Sequence, residues 1–149
     1  MRKPNFLVKI NQEVFYRSSK TIDFSKSKNY LKYISNLNSR GTARICFHEN
    51  IDSKLHQMMI CHQKKFNVLP HIHFKKEELC LVIEGLLKIV LYNNIGKIIY
   101  KTKLDSKFNN FFRIPKNTYH SMKVLSKNVI FIETTQGPFK LKDTNYPSW

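Results

Sequence analysis

From Thr42 onward the apolar positions come in short runs, some alternating with polar residues and some continuous, broken by Asn, Gly, Pro and Lys. A period of two in segments of this length is the mark of half-buried strands rather than helices. The pattern predicts strands over residues 43–48, 55–62, 78–84, 86–92, 97–104, 111–114, 121–125 and 129–135, with two short ones near 6–10 and 13–16. Ahead of this region Phe24, Leu31, Ile34 and Leu37 fall at helical spacing, with Asp23 or Ser25 placed to cap. One helix is therefore expected within residues 21–37, broken by Ser39, Arg40 and Gly41. Asn93, Asn94, Ile95 and Gly96 separate two β-rich runs and read as a hairpin, because Asn and Gly tolerate the positive φ such turns need. Gly85 marks another tight connection. Eight or so strands in this order fit a double-sheet jelly roll with a cavity between the sheets.

At 149 residues, 42% apolar and 13% aromatic, the chain suits one domain with a real core. Residues 1–38 are expected as a strand and helix extension packed on a barrel formed by residues 39–149. No apolar run approaches the roughly 18 residues that span a bilayer, and the first ten residues do not look like a secretory signal. Cys46, Cys61 and Cys80 are far apart and form no CxxC pair, as suits reduced thiols in a cytoplasmic protein. The formal net charge of +16 invites a nucleic-acid reading. The basic residues are mostly lysines scattered singly, however, which fits a solvated Lys-coated surface better than a phosphate-binding face. Neither nucleic acid nor membrane is expected as a partner; a small molecule is.

The informative segment runs from Pro70 to Gly85 and has the form His-x-His, four residues, Glu, six residues, Gly. Residues two apart in a strand point to the same face, so His71 and His73 aim into one cavity, and the following loop lets Glu78 return beside them. Glu77 competes for that role, but spacing to Gly85 favours Glu78. A proline-initiated turn, Pro115 to Tyr119, then delivers His120 into another strand. Imidazole nitrogen and carboxylate oxygen suit one divalent transition metal: Fe, Mn, Ni, Co or Zn. His56 and His62 are read as strand surface residues.

These two segments resemble the two motifs of the cupin superfamily, whose first motif contributes two histidines and a glutamate and whose second contributes a histidine after a Pro-x-Gly turn. The resemblance implies an all-β, cupin-type double-stranded β-helix (jelly-roll) barrel with a short N-terminal helix, and the metal ligands His71, His73, Glu78 and His120. Asn117 stands where the superfamily prefers glycine, and the opening glycines and closing asparagine of the motifs are replaced by Lys65, Asn109 and Val124. Arg40, Arg44, His48, Met58, Glu84-Gly85 and the late run from Glu133 to Phe139 narrow the likeness to WbuC-type cupin-fold metalloproteins, small bacterial proteins often encoded among genes for O-antigen or other surface polysaccharides. Such cupins commonly pair through edge strands, so the likeness also implies a homodimer.

Around the expected metal, Arg40 and Arg44 are candidates to hold a phosphate or carboxylate bidentately. Glu133 interrupts an apolar strand and, facing inward, would have a raised pKa suited to a base, with His48 and Tyr119 as further candidates for moving protons. Two classes of function follow. In one, the metal polarises a carbonyl or hydroxyl of a sugar or nucleotide-sugar and a base moves a proton, giving isomerisation or epimerisation in surface-polysaccharide synthesis; an iron-dependent oxygenase would use the same ligands. In the other, the barrel is a non-catalytic small-ligand or metal-binding module.

Overall fold

The computed structural model covers residues 1–149 and consists of two facing β-sheets with one helix. The elements are β1 (Leu7–Lys9), β2 (Val14–Arg17), α1 (Phe24–Leu37), β3 (Thr42–Cys46), β4 (Leu55–Gln63), β5 (Asn67–His73), β6 (Glu78–Glu84), β7 (Leu86–Tyr92), β8 (Ile98–Asp105), β9 (Phe111–Ile114), β10 (Tyr119–Val124), β11 (Asn128–Gln136) and β12 (Thr144–Asn145). The larger sheet has the order β1-β2-β3-β4-β11-β6-β9 and the smaller β12-β5-β10-β7-β8. All pairings are antiparallel except β2 with β3. The expected jelly roll with a short N-terminal helix is the architecture found.

The larger sheet is buried on both faces. Met58, Ile60, Cys80, Val82 and Phe131 point inward and pack against Leu87, Ile89, Leu91 and Met122 of the smaller sheet. Met59, Cys61, Ala43, Ile45 and Ile130 alternate outward and pack beneath Tyr30 and Leu31 of α1. Each such side chain contributes roughly 1.5–3 kcal/mol on leaving water, so the two layers together outweigh any single polar contact. This double burial corrects the reading of His56 and His62 as surface residues. Both are 4% exposed, in phase with Met58 and Ile60 along β4.

Asp23 caps α1, its side chain accepting from the Lys26 amide at 2.8 Å. The buried stripe differs from the apolar pattern: Phe24 and Leu37 are exposed, whereas Ser27 and Ser35 are buried. Small hydroxyl side chains fit against the sheet because their bonds are made locally. Ser27 Oγ donates to the Asp23 carbonyl at 2.7 Å, and Ser35 Oγ to the Lys32 carbonyl at 3.1 Å.

β5 carries the His-x-His pair but has no strand-like pattern, since Pro70 sits within it and removes a ladder donor. The sheet accommodates this with a bulge. His71 pairs with His120 and Val68 with Met122, so Leu69 and Pro70 together face the single residue Ser121. The turn between β6 and β7 depends on Gly85, at φ +87°, where a Cβ would lie 2.3 Å from the Asn128 carbonyl oxygen. Gly85→Ala should therefore lower stability by about 2–4 kcal/mol, read as an earlier urea midpoint at unchanged slope.

Candidate metal centre and cavity

The bulged pairing of β5 with β10 sets His71 and His120 side by side with ring centroids 4.2 Å apart, and His73 follows two residues along the same face. Glu78 opens β6 in the opposite sheet, so the group spans the barrel interior. The ligating atoms of His71, His73, Glu78 and His120 all lie within 4.8 Å of one another, and all four residues are buried. The two motifs are tied together at the backbone. Asn117 adopts φ 59°, as an asparagine can, and its amide donates to the His73 carbonyl at 2.9 Å.

The hydrogen bonds settle which nitrogens face the centre. His71 Nδ1 donates to the Leu69 carbonyl at 2.8 Å, His120 Nδ1 to the Thr118 carbonyl at 3.0 Å and His73 Nδ1 to the Asp143 carbonyl at 3.1 Å. A carbonyl oxygen only accepts, so each Nδ1 carries a hydrogen and each neutral ring turns an Nε2 lone pair inward. Glu78 adds its two oxygens, with Oε1 3.0 Å from His73 Nε2 and Oε2 3.2 Å from His120 Nε2. His120 Nε2 is nonetheless buried without a properly directed hydrogen bond. A site built from inward lone pairs and a carboxylate demands a cation. The 3.0 and 3.2 Å separations of Glu78 from His73 and His120 suit neighbouring ligands on one ion with bonds of roughly 2.0–2.2 Å.

The electrostatics agree. Burial, followed by the neighbouring His120, pushes His71 down to about 4. Burial opposes ionisation of Glu78, but contacts with His120 and His73 outweigh it and hold the carboxyl below its usual range. Burial also acts against a charge on His73, yet its contact with Glu78 prevails and its pKa is raised. A proton on His73 is thus the cation the chain itself supplies, and a metal ion would displace it.

The cluster forms one wall of a cavity of about 660 Å³. Glu133, His48 and Arg44 all line it. Glu133 is half-buried by area but ringed by protein, and burial first, then the Glu78 charge, pushes it up to about 8. His48 stacks on His56 at 3.9 Å and is held below its ordinary value by burial and then by that neighbour. Arg40 reaches only the rim, where Nη1 pairs with Glu13 at 2.9 Å and the guanidinium lies over Phe66. Tyr119 is not brought to the cavity. It precedes the inward-facing His120, so it takes the opposite face of the sheet and packs edge-on against Trp149.

Sequence reasoning missed Lys76, His56 and Tyr146 in the cavity wall. His56 had a usable signal in its phase with Met58; Lys76 lies in the loop between β5 and β6 and Tyr146 in the C-terminal segment, where no periodicity operates.

Several solved structures share this fold. The capsular polysaccharide assembling protein CapF from Staphylococcus aureus aligns with a TM-score of 0.64 at 19% identity, over 76% of this chain and 32% of CapF. A recombinant oxalate oxidase in complex with glycolate aligns with a TM-score of 0.55 at 15% identity, over 70% of this chain and 55% of that one. The Schizosaccharomyces pombe Cnp3 cupin domain aligns with a TM-score of 0.53 at 9% identity, over 64% of each chain. The chain spans about a third of the length of CapF. At these identities the likeness establishes the cupin fold. No curated protein matches the sequence significantly. No helix is long and apolar enough to cross a membrane. The model of the domain of unknown function DUF6016 matches residues 29–104, and the chain belongs to that family.

Proposed function

We propose that the protein is a metal-dependent cupin that acts on a sugar or nucleotide-sugar, as an isomerase or epimerase in the synthesis of bacterial surface polysaccharide such as O-antigen. The observation that carries this reading is the set of three imidazoles, each fixed by a backbone carbonyl, whose Nε2 atoms converge with the Glu78 carboxylate. The likeness to the WbuC-type cupins and to CapF, a capsular polysaccharide assembling protein, supports the choice of substrate class.

His71, His73, Glu78 and His120 would hold a divalent transition metal, which when bound supplies Lewis acidity to a substrate carbonyl or hydroxyl oxygen. Glu133 would take and return the proton. Its raised pKa keeps the exchangeable proton near neutrality, where a general base is most effective. Because the Glu78 charge contributes to that rise, Glu133 releases its proton more readily once Glu78 is neutralised by a cation. His48 is the second proton-handling group on the wall, and Arg44 the residue that orients an anionic part of the substrate. The two subunits of a cytoplasmic homodimer would meet at β8, an unpaired edge strand whose Ile98, Ile99 and Tyr100 are 53%, 58% and 48% exposed. An antiparallel edge pairs with a second copy of itself about a two-fold axis.

His120→Ala and Glu78→Gln should each strip metal from the purified protein while leaving circular dichroism unchanged, as read by elemental analysis. Below the raised His73 pKa the proton competes with the ion, so metal affinity should fall about tenfold per pH unit, with proton release on loading. Affinity flat between pH 7 and 5 would exclude His73 as a ligand. In a screen of nucleotide-sugars, Glu133→Gln should cut turnover at least about 100-fold without altering metal content; equal turnover would remove it from the chemistry. Sedimentation velocity should show a dimer that Ile99→Lys converts to a monomer, and a monomeric wild type would dismiss the edge contact.

A further inference from the structure

Of the chain's 26 lysines and arginines, Lys76 is the one that is buried, with 9% of its surface exposed. It therefore does not belong to the solvated coat that accounts for the net charge. Its ammonium makes no ion pair within 4.0 Å; its one neighbour of note is the Phe139 ring, 5.3 Å away. Burying a cation without a partner is costly unless something else completes it. Arg44 is in a similar position. It is half-buried, lines the same cavity, and its guanidinium has no carboxylate partner, whereas Arg40 is satisfied by Glu13.

The charges on the cavity wall do not balance from within. Glu78 is engaged with His73 and His120, which leaves Glu133 as the one carboxylate facing both Lys76 and Arg44. Adding a divalent ion at the histidines makes the excess of positive charge larger. Lys76 and Arg44 rise from different places, the loop before β6 and the middle of β3, with Glu133 on β11 between those strands in the larger sheet. Such an arrangement brackets a ligand rather than forming a surface patch, and a volume of about 660 Å³ is that of a small-molecule site.

We infer that Lys76 and Arg44 form an oxyanion subsite in the cavity, which binds a phosphate or carboxylate group of the ligand while the rest of the molecule extends toward the histidine cluster. This deepens the proposed function and rests on the same cavity, but the subsite itself is built from protein cations and operates with or without a metal. A phosphate would be met by the guanidinium fork and the lysine point charge together. The Phe139 ring, 5.3 Å from the ammonium, adds a cation–π contact that holds the lysine in place.

The test is calorimetry at low ionic strength on metal-free protein, with inorganic phosphate, glucuronate and glucose as probes. Phosphate, glucuronate or both should bind and glucose should not; which of the two binds more tightly identifies the group. Lys76→Met and Arg44→Gln should each weaken anion binding at least about tenfold. Metal content after loading should be unchanged in both. Lys101→Met on the exposed β8 should have no effect, and Lys76→Arg should retain affinity within about threefold, which separates charge from packing. Anion binding unaltered by Lys76→Met, equally weakened by Lys101→Met, or seen only in metal-loaded protein would overturn the subsite. If no metal binds but anions still require Lys76 and Arg44, the metal reading fails and the subsite stands.

Discussion

The rest of the site depends on one electrostatic constraint: three imidazoles with their protons committed elsewhere, facing a carboxylate in a place water scarcely reaches. Each Nδ1 hydrogen is spoken for by a main-chain carbonyl, so the rings cannot rotate their donors toward Glu78 without losing a buried bond. Lone pairs then meet lone pairs, and only a cation relieves the arrangement. Had the outward nitrogens been held by donors instead of carbonyls, the inward nitrogens would have carried the hydrogens and the same four residues could have closed into an ordinary hydrogen-bonded core. The anchoring carbonyls are therefore as much a part of the centre as the ligands.

Holding that arrangement takes contributions from distant parts of the chain. The bulge opposite Ser121 lets His71 stay beside His120 despite Pro70. The left-handed Asn117 brings the turn before β10 onto the His73 carbonyl. The C-terminal segment closes the far side, with β12 pairing Thr144 to His73, Asp143 accepting from the His73 ring, and Tyr146 6.2 Å from His71. A continuous path of backbone contacts thus links β5, β10 and the C-terminal residues around the histidines, while Glu78 is fixed independently by the doubly buried larger sheet.

Much of this was legible because strands obey a period of two. His71 and His73 had to share a face, Glu78 had to start a strand, and β6, β7 and β9 begin and end where alternation and turn residues place them. The same rule, applied one residue earlier, sends Tyr119 away from His120, and applied along β4 it turns His56 inward. What escaped had no periodic signal. Lys76 sits in a loop, against a Phe139 ring sixty-three residues on, and Arg40 is diverted by Glu13, which only the parallel pairing of β2 with β3 brings near. The helix misled for a different reason: apolar spacing marks the buried face only when small polar residues do not satisfy themselves locally, and Ser27 and Ser35 do.

Glu78 and Glu133 lie on adjacent strands of one sheet, in a register that places Thr135 opposite Glu78 and Glu133 opposite Cys80. They are therefore diagonal neighbours on the same face, separated by roughly 7–8 Å at the backbone. Two carboxylates this close in a low-dielectric wall cannot both ionise freely, and the imidazoles decide which does. Contacts with His120 and His73 hold Glu78 ionised against its burial, whereas burial and the Glu78 charge together keep the proton on Glu133. One fold thus sets two identical groups apart in protonation by their neighbours alone, with no difference in residue type.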